Sequence, residues 1–333
     1  MTSMSISTWR GAAASAGARS GNPGVALDLA WLDSLRVNRS AAERRVDGLT
    51  RRRRPKGDAQ RGFYLRAISC LDLTALGSGD SADRVRRLCG KALQPVRPDL
   101  LQSLASGGDG RRVAAVCVHQ PFVEAARRAL AGSGVQVATV AAAFPHGLAP
   151  LSARLIEIRH AVAAGADEVD VVIPRHLVFR AEWRELHDEL RQMKEACGTA
   201  HLKVILGTGD LDSLTAVSRA SLVAMMAGAD FVKTSTGTEA VNATLPVGLT
   251  MVRGIRDYFE RTGYAVGFKP AGGMTSARQA VDWLVLMQEE LGPSWTAPSL
   301  FRIGASRLLS DLERQLDHLA TGQYSVAYRN PLV

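Results

Sequence analysis

The sequence predicts a (β/α)8 barrel, the TIM-barrel fold class, with an N-terminal helical and disordered extension. Three observations carry this expectation. Eight short, nearly continuous apolar runs alternate with longer helix-patterned stretches between about residues 66 and 320. Runs of that kind read as parallel strands covered on their outer side by helices. Eight such units over roughly 250 residues match the usual length of this barrel. Lysines and glycines recur where the runs end, and barrels place their chemistry at the C-terminal ends of strands. A doubly wound open sheet is the alternative, but no GxGxxG follows the first run.

The extension comes first. Residues 1–66 hold 13 Lys and Arg against 5 Asp and Glu, and the rest of the chain holds 28 against 27. Residues 1–66 therefore carry all but one unit of the net charge of +9, and a near-neutral body offers no basic face for nucleic acid. Residues 1–23 are rich in Ala, Ser, Gly and Arg. They read as a disordered tail, and an organelle transit peptide shares that composition. "VALDLAWLDSL" (25–35) spaces Leu27, Trp31 and Leu35 for one helix face and predicts a short helix docked on the body. "RRRRPKG" (51–57) reads as a solvated linker, with no interleaved aromatics to stack bases. The expected division is an extension over 1–62, a barrel over 63–322 and a tail over 323–333.

The predicted strands are "AISCLDL" (67–73), "VAAVCVH" (113–119), "VQVATVAAAF" (135–144), "EVDVVI" (168–173), "LKVILGT" (202–208), "DFVKTS" (230–235), "AVGFKP" (265–270) and "LFRIG" (300–304). Among the helices between them, the one over 183–198 ends in Gly198, and the one over 275–292 opens on Thr and Ser and ends in Gly292, as helix caps do. No apolar run approaches the roughly 18 residues of a membrane span. Cys70, Cys89, Cys117 and Cys197 are scattered without a CxxC, which suits free thiols in a reducing cytoplasm. His119 and His146 lie far apart with no third ligand in view, so no metal is expected.

Asp72, Cys117, Asp170, Lys233 and Lys269 fall at or near strand ends. Lys233 and Lys269 end the sixth and seventh strands and so are neighbours on the rim. Two nearby ammonium groups disfavour each other's charge, and burial lowers lysine pKa further. A lysine brought down to about 7–8 is partly neutral and attacks carbonyls. Glu168 and Asp170 share one side of their strand, where a carboxylate can hold lysines and relay protons. Gly272 and Gly273, and then Gly304, each precede a helix start, where free amides and the helix dipole favour an anion. The residues thus point to a barrel enzyme with a lysine nucleophile and a phosphorylated carbonyl substrate. Structural ion pairs and ordinary glycine turns account for the same residues without catalysis.

"ADFVKTSTG", "GFKPAGG", "DEVDVVI", "VATVAAAFPHG", "LDLT" and "FRIGAS" resemble the deoxyribose-phosphate aldolases, a class I aldolase family, in the same order over nearly all of 63–320. "LDLAWLDSLRVN", "AVNATLP" and "LLSDLERQLDHLATGQY" resemble its longer, animal-type branch. The resemblance implies reversible cleavage of 2-deoxy-D-ribose 5-phosphate to acetaldehyde and D-glyceraldehyde 3-phosphate, with no metal or other cofactor. It implies that Lys233 forms the Schiff base, that Lys269 lowers its pKa, and that Asp170 relays protons. It implies that Asp72 and Cys117 line the pocket and that Gly237, Gly272, Gly273, Gly304 and Ser306 cradle phosphate. Lys203 is not the nucleophile on this reading. Two positions depart from the family pattern: Thr238 stands where a lysine is usual, and Arg307 where a small residue is usual. The expected partner is a small phosphosugar, with no specific nucleic acid and no membrane, and a homo-oligomer is left open. A Schiff-base aldolase for another sugar and a non-catalytic binding barrel are the competing readings.

Overall fold

The computed structural model describes residues 21–53, 55–104 and 110–326. The tail expected over 1–23 lies outside the described residues up to residue 20, as does the C-terminal tail from residue 327. Among the described residues three helices precede the barrel: α1 (Leu29–Ser34), α2 (Arg39–Arg52) and α3 (Gly57–Ser69). The strands are β1 (Leu71–Ala75), β2 (Ala115–His119), β3 (Gln136–Ala141), β4 (Glu168–Val172), β5 (His201–Ile205), β6 (Phe231–Lys233), β7 (Gly267–Lys269) and β8 (Ile303–Ala305). Between and after them run α4 (Ala82–Leu93), α5 (Pro98–Ser103), α6 (Val123–Ala129), α7 (Leu151–Ala163), α8 (Arg175–Phe179), α9 (Trp183–Cys197), α10 (Leu214–Met226), α11 (Leu245–Thr262), α12 (Ala277–Leu291) and α13 (Leu308–Thr321).

All strand pairs are parallel, in the order β7-β6-β5-β4-β3-β2-β1-β8. Two isolated bridges, Phe268 to Phe301 and Ala271 to Gly304, bring β8 back to β7 and close the ring. Side chains alternate across each strand. On β4, Val169 and Val171 join the apolar layer under the helices, while Glu168 and Asp170 reach lysine and arginine inside the barrel.

The first strand begins later than its apolar pattern predicts. Ala67, Ile68 and Ser69 form the last turn of α3, and Cys70 caps that helix before β1 starts at Leu71. A short apolar run does not separate a buried helix turn from a strand. Here Tyr64, Leu65 and Ile68 are spaced for a helix face, and α3 packs on α12 and α13.

The extension is docked over its described part. Asn22 is 4% exposed and donates its side-chain amide to the carbonyls of Met225 and Ala229. Trp31 stacks on Tyr258 with ring centroids 6.3 Å apart, and Leu32 is fully buried. The Arg261 guanidinium covers the Trp31 ring at 4.0 Å. Helix α2 packs on α11 and α12, and Arg45 reaches Glu290 at 2.8 Å. Among the described residues no helix is long and apolar enough to cross a membrane.

Candidate active site

Seven ionisable side chains meet inside the barrel. Four are cations, Lys203, Lys233, Lys269 and Arg302, and three are carboxylates, Asp72, Glu168 and Asp170. None is more than 4% exposed. Buried charges persist only when they are paired, so their partners decide what each can do.

Lys203 Nζ lies 2.9 Å from Asp170 Oδ1, 2.6 Å from Glu168 and 3.7 Å from Asp72. Lys269 Nζ lies 2.8 Å from Asp170 Oδ2 and 2.6 Å from Asp72. Arg302 grips Glu168 through both terminal nitrogens, at 2.9 and 2.7 Å, and reaches Asp72 at 2.8 Å. Lys233 has one carboxylate contact, Asp170 Oδ2 at 2.9 Å. Fully protonated, the cluster holds one cation too many. The proton is lost at least cost from the cation with the fewest anionic contacts, and that is Lys233.

The pKa directions follow this pairing. Burial lowers the Lys233 ammonium; Asp170 opposes that, and Lys269 lowers it further, so the net direction is down. Burial acts the same way on Lys269, but Asp170 and Asp72 outweigh it and hold Lys269 charged. Lys203 is also raised against burial, by Asp170 and Glu168. Burial disfavours ionised Asp170, yet Lys203, Lys233 and Lys269 together keep its carboxyl well below the usual carboxylate range. Burial pushes the Cys117 thiol up to about 11, so it stays neutral.

Above the cluster opens a cleft of about 440 Å3. Of the three buried lysines only Lys233 lines it. Gly237, Gly272, Gly273, Gly304 and Ser306 also line it, so the structure gathers the glycines and serine that the sequence singled out. Asp72 and Cys117 do not line it. Both are fully buried below: Asp72 pairs with Lys269 and Arg302, and Cys117 packs with Ala115, Ala138 and Val140. The structure thus sets both side chains among the buried residues and not among those that line the cleft.

Two glycines have steric reasons. Gly272 adopts φ +84°, and a Cβ there would come within 2.3 Å of Asn242 Oδ1. A Cβ on Gly304 would sit 3.1 Å from Lys269 Cε, so this glycine leaves room for the lysine to pass. At the end of β3, Ala142 and Ala143 take φ +60° and +56°, a left-handed conformation costly for residues with a Cβ. The Ala143 amide is held by Glu157 at 2.8 Å, and this bend delivers Phe144 to the cleft wall. His119 donates its Nε2–H to the Leu76 carbonyl, 3.2 Å away, and meets Phe144 edge-on.

Arg302 and the full contact set of Lys203 and Glu168 are not foreseen from the sequence. The available signal was Glu168 sharing a strand face with Asp170, which requires an inward cation. Arg302 directly precedes β8 and is the longest side chain able to supply it.

A closed parallel barrel whose one under-paired lysine opens on a glycine-lined cleft has the arrangement that attack by a neutral amine on a carbonyl carbon requires. The chain belongs to the DeoC/LacD family of aldolases, whose profile matches residues 67–293. It is 51% identical to the deoxyribose-phosphate aldolase of Bos taurus over 311 residues, which is 93% of this chain and 98% of that one. It is 50% identical to the deoxyribose-phosphate aldolase of Homo sapiens over 313 residues, again 93% and 98% of the two chains. Among solved structures, the tetrameric deoxyribose phosphate aldolase from Aeropyrum pernix superposes with a TM-score of 0.55 at 23% identity, covering 81% of this chain and all of that one. The aldolase QR15 gives 0.58 at 26% identity, over 76% and 96%.

Proposed function

We propose that this protein is a class I aldolase that reversibly cleaves 2-deoxy-D-ribose 5-phosphate to acetaldehyde and D-glyceraldehyde 3-phosphate, with Lys233 as the nucleophile. The observation that carries the assignment is the unequal pairing of three buried lysines: Lys233 alone has a lowered pKa and alone lines the cleft.

Neutral Lys233 Nζ attacks the aldehyde carbon of the open-chain sugar. The carbinolamine loses water and becomes a protonated imine. The β-hydroxyl gives up its proton through the Asp170 and Lys269 pair, and the bond between the α- and β-carbons breaks. Its electrons move into the imine and leave an enamine on Lys233. Glyceraldehyde 3-phosphate departs. The α-carbon is reprotonated, and water hydrolyses the imine to acetaldehyde and free Lys233. The imine is the electron sink, so this route calls for no cofactor. Asp72 holds Lys269 and Arg302 below the reacting atoms, and Cys117 supplies a neutral surface beside Asp170.

The phosphate end of the sugar lies towards Gly237, Gly272, Gly273, Gly304 and Ser306 on this reading. A cytoplasmic location and self-association belong to the same reading; the four buried free cysteines suit a reducing compartment. The test is release of acetaldehyde from 2-deoxyribose 5-phosphate by the purified protein. Lys233→Leu is expected to fold and to lose nearly all turnover. Substantial residual turnover in that variant places the nucleophile elsewhere.

A further inference from the structure

The backbone amides around the cleft divide between two walls. On one wall, the segment 236–239 spends its amides on itself. The Thr236 amide donates to both carboxylate oxygens of Glu239, at 2.9 and 3.1 Å, and the Gly237 amide donates to Glu239 Oε2 at 3.0 Å. The Thr238 amide donates to Thr236 Oγ1 at 3.2 Å, and the two threonine hydroxyls meet at 2.8 Å. An internal carboxylate thus occupies the nest of amides that an anion would seek, and no cationic side chain stands there.

The opposite wall is open. The amides of Gly272, Gly273, Ser306 and Arg307 make no hydrogen bond among the described residues. Besides Lys233, two cationic side chains line the cleft, Arg84 and Arg307. Arg84 is engaged by Asp80 at 3.0 Å. Arg307 has no ion pair or hydrogen bond among the described residues, is exposed, and stands at the start of the 14-residue helix α13. Guanidinium groups are well shaped for phosphate oxygens, and the helix N-terminus adds to the attraction.

We infer that Arg307 determines specificity for the phosphorylated sugar. It carries the phosphate together with the free amides of residues 272, 273 and 306, while Glu239 acts as a positioning residue that withdraws the amides of Thr236 and Gly237 from the ligand. The inference rests on the proposed aldolase function. It also revises the phosphate cradle, because Gly237 lines the cleft without an amide to offer.

The experiment compares 2-deoxyribose 5-phosphate with unphosphorylated 2-deoxyribose in the full-length wild type, Arg307→Ser, Arg307→Lys and Glu239→Gln. A lost charge-assisted hydrogen bond corresponds to roughly 10- to 100-fold. Arg307→Ser is expected to raise KM for the phosphorylated sugar by about that factor with kcat little changed, and to leave kcat/KM for 2-deoxyribose within about 3-fold. Arg307→Lys recovers part of the loss, and Glu239→Gln keeps the preference for the phosphorylated sugar. Equal effects of Arg307→Ser on both sugars overturn the inference, as does a phosphate-selective loss found in Glu239→Gln and absent from Arg307→Ser. A calorimetric titration with inorganic phosphate reads the same site without turnover, and Arg307→Ser is expected to weaken that binding by a similar factor. If the wild type cleaves neither sugar, the proposed function fails and the titration still decides the role of Arg307: unchanged affinity in Arg307→Ser overturns it.

Discussion

Lys233 and Lys269 stand opposite each other in the β6–β7 register, and both ammonium nitrogens approach the same oxygen of Asp170, at 2.9 and 2.8 Å. Lys269 has a second carboxylate in Asp72 and Lys233 does not. The pair therefore splits into one amine that keeps its proton and one that gives it up. On the proposed mechanism, kcat/KM rises with pH through the lowered pKa of Lys233, below the ordinary lysine value of 10.5. Lys269→Met removes a neighbouring positive charge and leaves Asp170 to Lys233 more fully. Both changes raise the Lys233 pKa, so the acid limb of the pH–rate profile is expected to move to higher pH. A profile that keeps its position would show that Lys269 does not set it.

Asp170→Asn takes the shared acceptor from three buried lysines. Breaking a buried ion pair by removing one partner costs about 3–5 kcal/mol. Urea unfolding is expected to show a loss of that order, and the assay a near-complete loss of turnover. A variant as stable as the wild type would mean that the lysines are paired differently.

The cluster also sets the acid stability. Asp72, Glu168 and Asp170 have folded pKa values below their ordinary 3.8 to 4.5, although burial opposes this, because Lys269, Arg302 and Lys203 outweigh it. Groups depressed in the folded state stabilise it above the unfolded pKa, and that stability is lost as pH falls through the folded value. Unfolding free energy is therefore expected to fall steadily once pH drops below about 4.5. Lys233 adds to the same trend in a higher pH window, since its lowered pKa costs stability at low pH and the cost fades as pH rises towards 10.5. Equilibrium unfolding as a function of pH reads both limbs.

Gly304→Ala places a methyl group 3.1 Å from Lys269 Cε and 3.0 Å from Ala271 Cβ. Lysine is flexible enough to move, so the variant is expected to fold, with Lys269 shifted from Asp170. A displacement of about 1 Å in a catalytic group costs on the order of 10- to 100-fold in rate. Wild-type kcat in Gly304→Ala would show that the position of Lys269 is not critical.

At the other end of the chain, Trp31→Ala removes the ring that stacks on Tyr258 beneath Arg261. Truncation of a buried tryptophan costs about 3–5 kcal/mol. The melting temperature is expected to drop by several degrees while KM for the sugar holds, because α1 lies on the outer helices and not at the cleft. An unchanged melting temperature would mean that the extension contributes nothing to stability.

The strand-end residues were legible in the sequence because strand alternation and the βα repeat fix their place one residue at a time. Lys233, Lys269 and Asp170 need only the period of 2 and the strand order to be brought together. Arg302 and Lys203 were harder to place, because their partners come from β1 and β4 and depend on how the ring closes. The depth of Asp72 and Cys117 depends on barrel stagger, which no single strand encodes. Glu239 lies three residues after Thr236 in a loop, and only the folded loop turns its carboxylate back onto the amides. The start of β1 was misplaced because α3 ends in the same apolar letters that open a strand.

The most direct test of the Lys233 assignment is reduction with borohydride in the presence of 2-deoxyribose 5-phosphate, followed by peptide mass mapping. A stable adduct is expected on Lys233 and none on Lys203 or Lys269. An adduct on either of those lysines, or none on a folded protein, would contradict the assignment.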